Sequence, residues 1–550
     1  MNVEKFEKYS AALNEQAQRA AIVQNVLING AMHDGKRIDN LQERAVSMIA
    51  AAGDHQMFEG LSPEEQGTVL GAWNYALEGY VNVHGELPSD EVLSNALMAA
   101  NQVTGKVEGG QMFESVNASL DTSAGVPIRA RTIAIILPTL LSSATSDLVT
   151  YIPADANESE IFEIHHEAAN TFGDRVKGEK IDGMSFKQYT SMNQLHAVPD
   201  AKKPDGTAKT FTLDVNADLG VNASLRSEGS ITIFVNSKPV AKQSSDNANA
   251  FSPIENTAGV TVDTANSSID HAAGTITIAF STAPAVDTKL AFQFEYDLEQ
   301  NPDILPEIIN KASSVKLKPF WCAIGASATV QSYWTADREL GYDQRSNLHQ
   351  QQRNLIADDK DKTNLALAMF AAHAHEIKNF PVSAPDGITE EEHMKTLARF
   401  LGELGTDILN TTKKSGVKGV YFGKRAIHFI TQLPAQYFEK APNYQEAPRI
   451  QYVGKLFGMY KVYRVPHDVE MAGVKFGEMS ALAYGRGESF SEAGIVNGDA
   501  IPPTFIPQSI AKKFTQSTAM LTLRYQQLHP KGGENYFRMF ELTEAAPVQG

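Results

Sequence analysis

Residues 345–380 read RSNLHQQQRNLIADDKDKTNLALAMFAAHAHEIKNF, a stretch without Pro or Gly and rich in Ala, Leu, Gln, Asn and charged side chains. Its second half sets Ala366, Met369, Phe370, His373, Ile377 and Phe380 on one stripe at helical spacing. Pro381 ends the run, because proline pushes the residue before it out of the helical region. A helix of this length spans roughly 50 Å at ~1.5 Å per residue, longer than one small domain needs. Its centre, Asp358 to Lys362, reads as too charged to bury, which allows a break there. The expectation is a girder lying across a flat molecule rather than one helix of a globular bundle.

The remaining composition narrows the choices. The 550 residues are enough for about three to four domains with real cores. Lys plus Arg is 48 against 65 Asp plus Glu, a formal charge of -17 that argues against a sequence-specific DNA binder and gives no reason to expect an anionic membrane partner. A locally basic face stays compatible with it. Cys322 is the single cysteine, so no intrachain disulfide and no thiolate cluster can form. Beside Trp321 it reads as a buried hydrophobe. The N-terminus lacks the apolar run of a signal peptide, and the richest apolar window, Ile133 to Leu141, is half the length of a membrane span. These features read as a soluble protein made in a reducing compartment.

Residues 1 to about 106 read as helices near 3–28, 37–52, 62–81 and 88–103. Ser62-Pro63-Glu64-Glu65 has the cap, the first-turn proline and the acids of a helix start. Residues 107–127, VEGGQMFESVNASLDTSAGVP, read as a joint. A Pro-interrupted helix and two strands follow to about His166, and the polar, Lys- and Gly-rich 172–205 reads as a long extended loop. Between 228 and 297 the alternation of Ile231, Ile233 and Val235, and of Leu290, Phe292, Phe294 and Tyr296, marks an inserted β-domain. After the girder, Thr389-Glu390-Glu391 caps a helix carrying Met394, Leu397, Leu401, Leu404 and Ile408. Short strands and helices run from Gly419, and strands return after about 515, an α+β pattern.

Candidate chemistry is sparse. His373, His375 and Glu376 resemble metal ligands, but residues two apart on a helix point about 200° apart and cannot share one ion. His165-His166-Glu167 falls in a strand, where neighbours face opposite sides. Gly485-Arg486-Gly487 lacks the strand–turn–helix setting of a dinucleotide fingerprint, and Walker, HExxH and GxSxG motifs are absent. Lys202-Lys203 and Lys413-Lys414 read as solvated surface. No catalytic, cofactor or metal residue is assigned, and a chain this large without a site points to its surfaces as the function.

Four stretches, in order, resemble the major capsid proteins of tailed bacteriophages, specifically those similar to the T-even head protein. The first is RARTIAIILPTLLSSATSDLVTYIP, Arg129 to Pro153. The second is EQNPDILPEIINKASSVKLKPFW, Glu299 to Trp321, followed by YWTADRELGY, Tyr333 to Tyr342, before the long helix. The third is YVGKLFGMYKVYRVP, Tyr452 to Pro466. The last is the run of Pro502-Pro503, Phe505-Ile506-Pro507, Arg524-Tyr525 and Asn535-Tyr536-Phe537-Arg538. Together they cover about residues 128 to 545, and the ordered set is far more specific than any one of them.

The resemblance implies the Hong Kong 97-type capsid fold, α+β with a long spine helix, an extended loop, an inserted β-domain and an N-terminal helical region. Its parts would be 1–114 (helical, a propeptide or scaffold-like arm), 115–160 (N-arm and start of a peripheral domain) and 161–227 (extended loop). Then come 228–298 (inserted β-domain), 299–384 (peripheral domain with the spine), 385–505 (axial domain) and 506–550 (return strands). It implies a non-enzymatic virion protein that assembles in the host bacterial cytoplasm into hexamers and pentamers of an icosahedral shell. The implied partners are copies of itself, a scaffold, a prohead protease, portal and decoration proteins, and packaged DNA touched without sequence specificity; no membrane and no cofactor are implied. Family members lose a propeptide after an apolar-x-Glu pattern, which Met112-Phe113-Glu114 matches here, as do Met57-Phe58-Glu59 and Leu41-Gln42-Glu43 upstream. The competing readings are a tail-tube, sheath or surface-layer protein, and a metal-dependent hydrolase built on His373, His375 and Glu376.

Overall fold

The structure, a computed structural model, describes residues 3–33, 36–58, 61–104, 128–152, 158–181, 187–228, 231–255, 259–341, 344–385, 387–442, 444–487, 492–507 and 515–544. The whole 107–127 joint, with Met112-Phe113-Glu114, lies outside the described residues. The chain divides into two compact units, Ile164–Ala312 and the remainder, Asn2–Glu163 with Ser313–Gly550. It passes between them twice, along the paired strands Ser159–Ala168 and Ile308–Leu317.

The larger unit begins with helices α1 (Val3–Gln24, continued by one π turn, Asn25–Asn29), α2 (Leu41–Asp54), α3 (Pro63–His84), α4 (Asp90–Thr104) and α5 (Ile128–Ser142). The expected start at Ser62 is a full capping box: its side chain accepts from Glu65 N, and the Glu65 carboxylate accepts from Ser62 N at 2.7 Å. Trp73 is fully buried on α3, meets Phe58 edge-on and donates its indole N–H to Ile133 O on α5 at 2.9 Å. α3, α4 and α5 therefore share one core. Pro138 is accommodated inside α5, and Thr139 Oγ1 donates to Ile135 O one turn back.

The girder forms an unbroken helix, Gln344–Ala372, of 29 residues, about 43 Å long. It departs from expectation in three ways. It stops at Ala372, and Lys378–Pro381 is instead a strand parallel to Phe537–Thr543, where backbone pairing and the burial of Phe380 against Phe400 outweigh helical pattern. The buried stripe is Leu365, Ala368, Met369 and Ala372, while Phe370 is 44 % exposed. The charged centre contains no break: Asp361 is buried, because Ser143 Oγ, Ala144 N and Thr145 Oγ1 all donate to its carboxylate.

Two sheets complete this unit. One has four strands in the order Phe320–Thr329, Thr515–Leu528, Ile495–Pro507, Val149–Tyr151. The other has seven, in the order Lys378–Pro381, Phe537–Thr543, Ser480–Gly485, Val417–Phe422, Tyr460–Arg464, Gln451–Leu456, Phe438–Lys440. The C-terminal return is thus divided: one strand rejoins the early Val149–Tyr151 layer, and the last enters the sheet built from 417–485. Helix Glu390–Thr412 buries Met394, Leu397, Leu401, Leu404 and Ile408 against that second sheet, as its spacing requires.

The smaller unit holds a five-stranded and a three-stranded sheet around one core. The alternating residues Ile231, Ile233, Val235, Leu290, Phe292 and Phe294 are buried. The polar stretch 172–205 differs from an extended arm, since Phe172, Tyr189 and Val198 enter that same core. Residues on both sides of 227 therefore build a single body. Apolar anchors so widely spaced in polar sequence leave no periodicity to read.

Candidate functional site

The metal-like histidines do not converge. His373 is exposed beyond the end of the helix, and His375 Nε2 meets Glu534 O at 3.2 Å. His165 and Glu167 do share a strand face, 2.9 Å apart, but Glu167 pairs with Lys311 at 2.5 Å. Among the described residues no group of three or more His, Cys, Asp and Glu side chains is placed to hold a metal ion, and no helix is long and apolar enough to cross a membrane. Cys322 is half-buried rather than buried, on a sheet edge, with burial pushing its thiol pKa up and away from reactivity.

The most concentrated polar chemistry lies where the α3–α4 turn meets the seven-stranded sheet. Glu91, at the start of α4, accepts the Tyr151 amide at 3.0 Å and pairs with Arg486 at 3.1 Å, and Arg486 also donates to Ser146 O at 3.1 Å. Glu86 pairs with Lys461 at 2.5 Å, and Lys461 also reaches Asp147 at 3.0 Å. Asp147 accepts from the Tyr463 and Tyr484 hydroxyls at 2.8 and 3.4 Å. His84, at the end of α3, stacks between Tyr80 (4.2 Å) and Tyr452 (4.4 Å). A cleft of about 800 Å³ opens along this joint, lined by both elements.

The charges here are held, not mobile. Burial would raise Asp147, but Lys461 and Arg486 beside it and the hydrogen bonds it accepts keep its carboxyl below the ordinary range. Burial would lower Lys461, but Asp147 and Glu86 hold it above. Desolvation, then the neighbouring Lys461, push His84 down to about 4, so the ring is neutral at pH 7. Tyr80 and Tyr452 are pushed up to about 12 by burial. Paired charge to charge across the two elements, these residues fasten the helices to the sheet. No motif announces it: its members come from residues 84–91, 147–151 and 452–486. The one signal in the sequence is Gly485-Arg486-Gly487, where a β-carbon on Gly485 would meet Gly416 O at 3.0 Å, so a glycine there lets the chain deliver Arg486 inward.

A second feature is a surface. Strand Phe320–Thr329 pairs on one side only, with Thr515–Leu528, leaving its other edge free among the described strands. Its ten residues carry no charge and no proline, none is fully buried, and Phe320 and Trp321 are 42 % and 54 % exposed. Soluble proteins normally protect such an edge with charge, proline or a bulge.

Residues 4–143 match a family described as Domain of unknown function (DUF8615). Protein IncB of Escherichia coli is 31 % identical over 147 residues, covering 25 % of this chain and 71 % of that protein. Among solved structures, the jumbo bacteriophage PhiKZ capsid aligns with 73 % of this chain and 92 % of its own at 8 % identity and a TM-score of 0.35. The capsid of Myoviridae Phage XM1 aligns with 60 % and 93 % at 8 % identity and 0.29. The bacteriophage PhiM1 mature capsid aligns with 43 % and 76 % at 12 % identity and 0.29.

Proposed function

This chain belongs to one family with the Escherichia coli Protein IncB, a name that states no activity, and we propose that it is the major capsid protein of a tailed bacteriophage. Copies of it would assemble as pentamers and hexamers into an icosahedral virion shell around double-stranded DNA, in the cytoplasm of the host bacterium. Scaffold, prohead protease, portal and decoration proteins would be its other partners.

The observation that carries this reading is the open edge of Phe320–Thr329, next in the chain to the helix Val330–Leu340 that leads into the girder. An uncharged strand with exposed aromatic side chains is a poor terminal surface for a monomer and a good one for a neighbouring copy. A shell subunit needs head-to-tail contacts of this kind that close into rings, and a stiff 29-residue helix to hold them at a fixed distance. The ordered motifs between residues 128 and 545 support the same conclusion. Domain assignments follow it: the spine and four-stranded sheet as peripheral domain, the seven-stranded sheet as axial domain, and Ile164–Ala312 as the inserted body.

Electron microscopy of the expressed chain, alone and with its neighbouring gene products, tests the proposal. Closed shells or five- and six-membered capsomers are expected. Tubes or flat sheets would transfer the reading to a tail or surface-layer protein, and a dispersed monomer under every condition would overturn it.

A further inference from the structure

The cleft beside the α3–α4 turn has a feature that the fastening role leaves unexplained. Lys455 lies directly across the ladder from Lys461, and Lys461 lies beside Gly419 on the next strand. Lys418 precedes that glycine, and Val417 opposite Gly485 brings in Arg486, the residue just past the end of the fourth strand. Three lysines on three neighbouring strands and Arg486 at the end of the fourth thus line the same cleft. At ~4.8 Å per strand the row is about 14 Å long. Like charges set directly across a ladder are destabilising, so the row needs counter-ions. It finds them on α4 and the turn before it: Glu86 on Lys461 and Glu91 on Arg486, with Asp90 on the same rim. Lys418 and Lys455 have no carboxylate paired to them among the described residues.

Residues 1–104 carry 14 Asp and Glu against six Lys and Arg. We infer that this helical region acts as a built-in counter-ion: its acids occupy a basic row whose alternative occupant is the phosphate backbone of a nucleic acid. A linear array of cations across a sheet suits a linear polyanion carrying closely spaced charge, and binding of that kind is insensitive to sequence and strongly dependent on salt. The inference deepens the capsid reading by assigning the DNA contact to named residues, and it makes that contact conditional on the acids of the α3–α4 turn.

The test uses the full-length chain and a fluorescein-labelled duplex of about 20 base pairs, read by anisotropy from about 50 to 200 mM salt. Glu86 and Asp90 are both exposed, so E86Q/D90N leaves the core untouched. The double variant is expected to bind the duplex about tenfold more tightly than the unaltered chain, and adding K418Q/K455Q to it should abolish the gain. The log–log salt slope should fall by about two when those two lysines are lost. Equal binding by E86Q/D90N and the unaltered chain, or a gain that survives K418Q/K455Q, overturns the inference. Shell formation by electron microscopy is scored separately, so a failure here is distinct from a failure of the capsid reading.

Discussion

Replacing Glu91 by Ala removes the acceptor for two buried donors at once. The Tyr151 amide loses its 3.0 Å partner, and Arg486, whose side chain is only 16 % exposed, loses its carboxylate and keeps Ser146 O. An orphaned buried amide costs about 1–3 kcal/mol, and a buried charge stripped of its partner costs about 3–5 kcal/mol. The two losses overlap, so about 3–5 kcal/mol is expected for E91A. E91Q keeps an acceptor for Tyr151 and gives up only the charge, for about 1–2 kcal/mol. R486A leaves Glu91 bonded to the amide and should cost about 2–4 kcal/mol. Because the residues act as a unit, E91A/R486A should cost less than the sum of the single losses by about 1.5–3 kcal/mol. Urea unfolding followed by circular dichroism measures the cycle, and hydrogen exchange at Tyr151 localises it, about tenfold faster for each 1.4 kcal/mol lost. Single losses that add to within about 0.5 kcal/mol would refute the claim that α4 is fastened to the sheet through this pair.

Three other outcomes follow from the same geometry. His84, pushed down from 6.5 to about 4, is neutral in the folded state, so its contribution is intact above pH 6.5 and lost as the pH falls toward 4. Allowing for its partial exposure, H84F should lose about 1 kcal/mol less than the unaltered chain between pH 7 and pH 5, and an identical loss in thermal melts would contradict this. D361A strips an acceptor from Ser143, Ala144 and Thr145 and should destabilise by about 2–4 kcal/mol; a loss below about 1 kcal/mol would mean that the centre of the girder is not anchored there. W321E, on the open strand edge, should abolish shells while leaving the melting of the unassembled chain within about 0.5 kcal/mol, and normal shells would remove that edge from the assembly surface.

The elements that could be read from sequence alone were those whose information is local. The capping box at Ser62, the apolar spacing of Met394, Leu397, Leu401, Leu404 and Ile408, and the alternation around Ile233 and Phe292 each specify an element within one short window, and the structure places all of them as that spacing requires. The girder was legible as a helix for the same reason, but its buried face was not. Leu365, Ala368 and Ala372 form a stripe of mostly small side chains with little contrast, and the more conspicuous Phe370 lies outside it. Its end was hidden because the partner of Lys378–Pro381 is Phe537–Thr543, more than 150 residues away.

What the sequence by itself determined, then, is the locally coded part of the inventory: the capped and amphipathic helices, the alternating strands, the acidic balance, the lone cysteine and the lack of the catalytic motifs sought. Burial and charge pairing were decided only by the tertiary structure. Asp361 looked unburiable until the α5–Val149 turn aimed three donors at it, and Arg486 looked like a loop residue until Glu91 met it across nearly 400 residues. A charge can be buried only where its partners converge, and convergence is set by topology, which no local window contains.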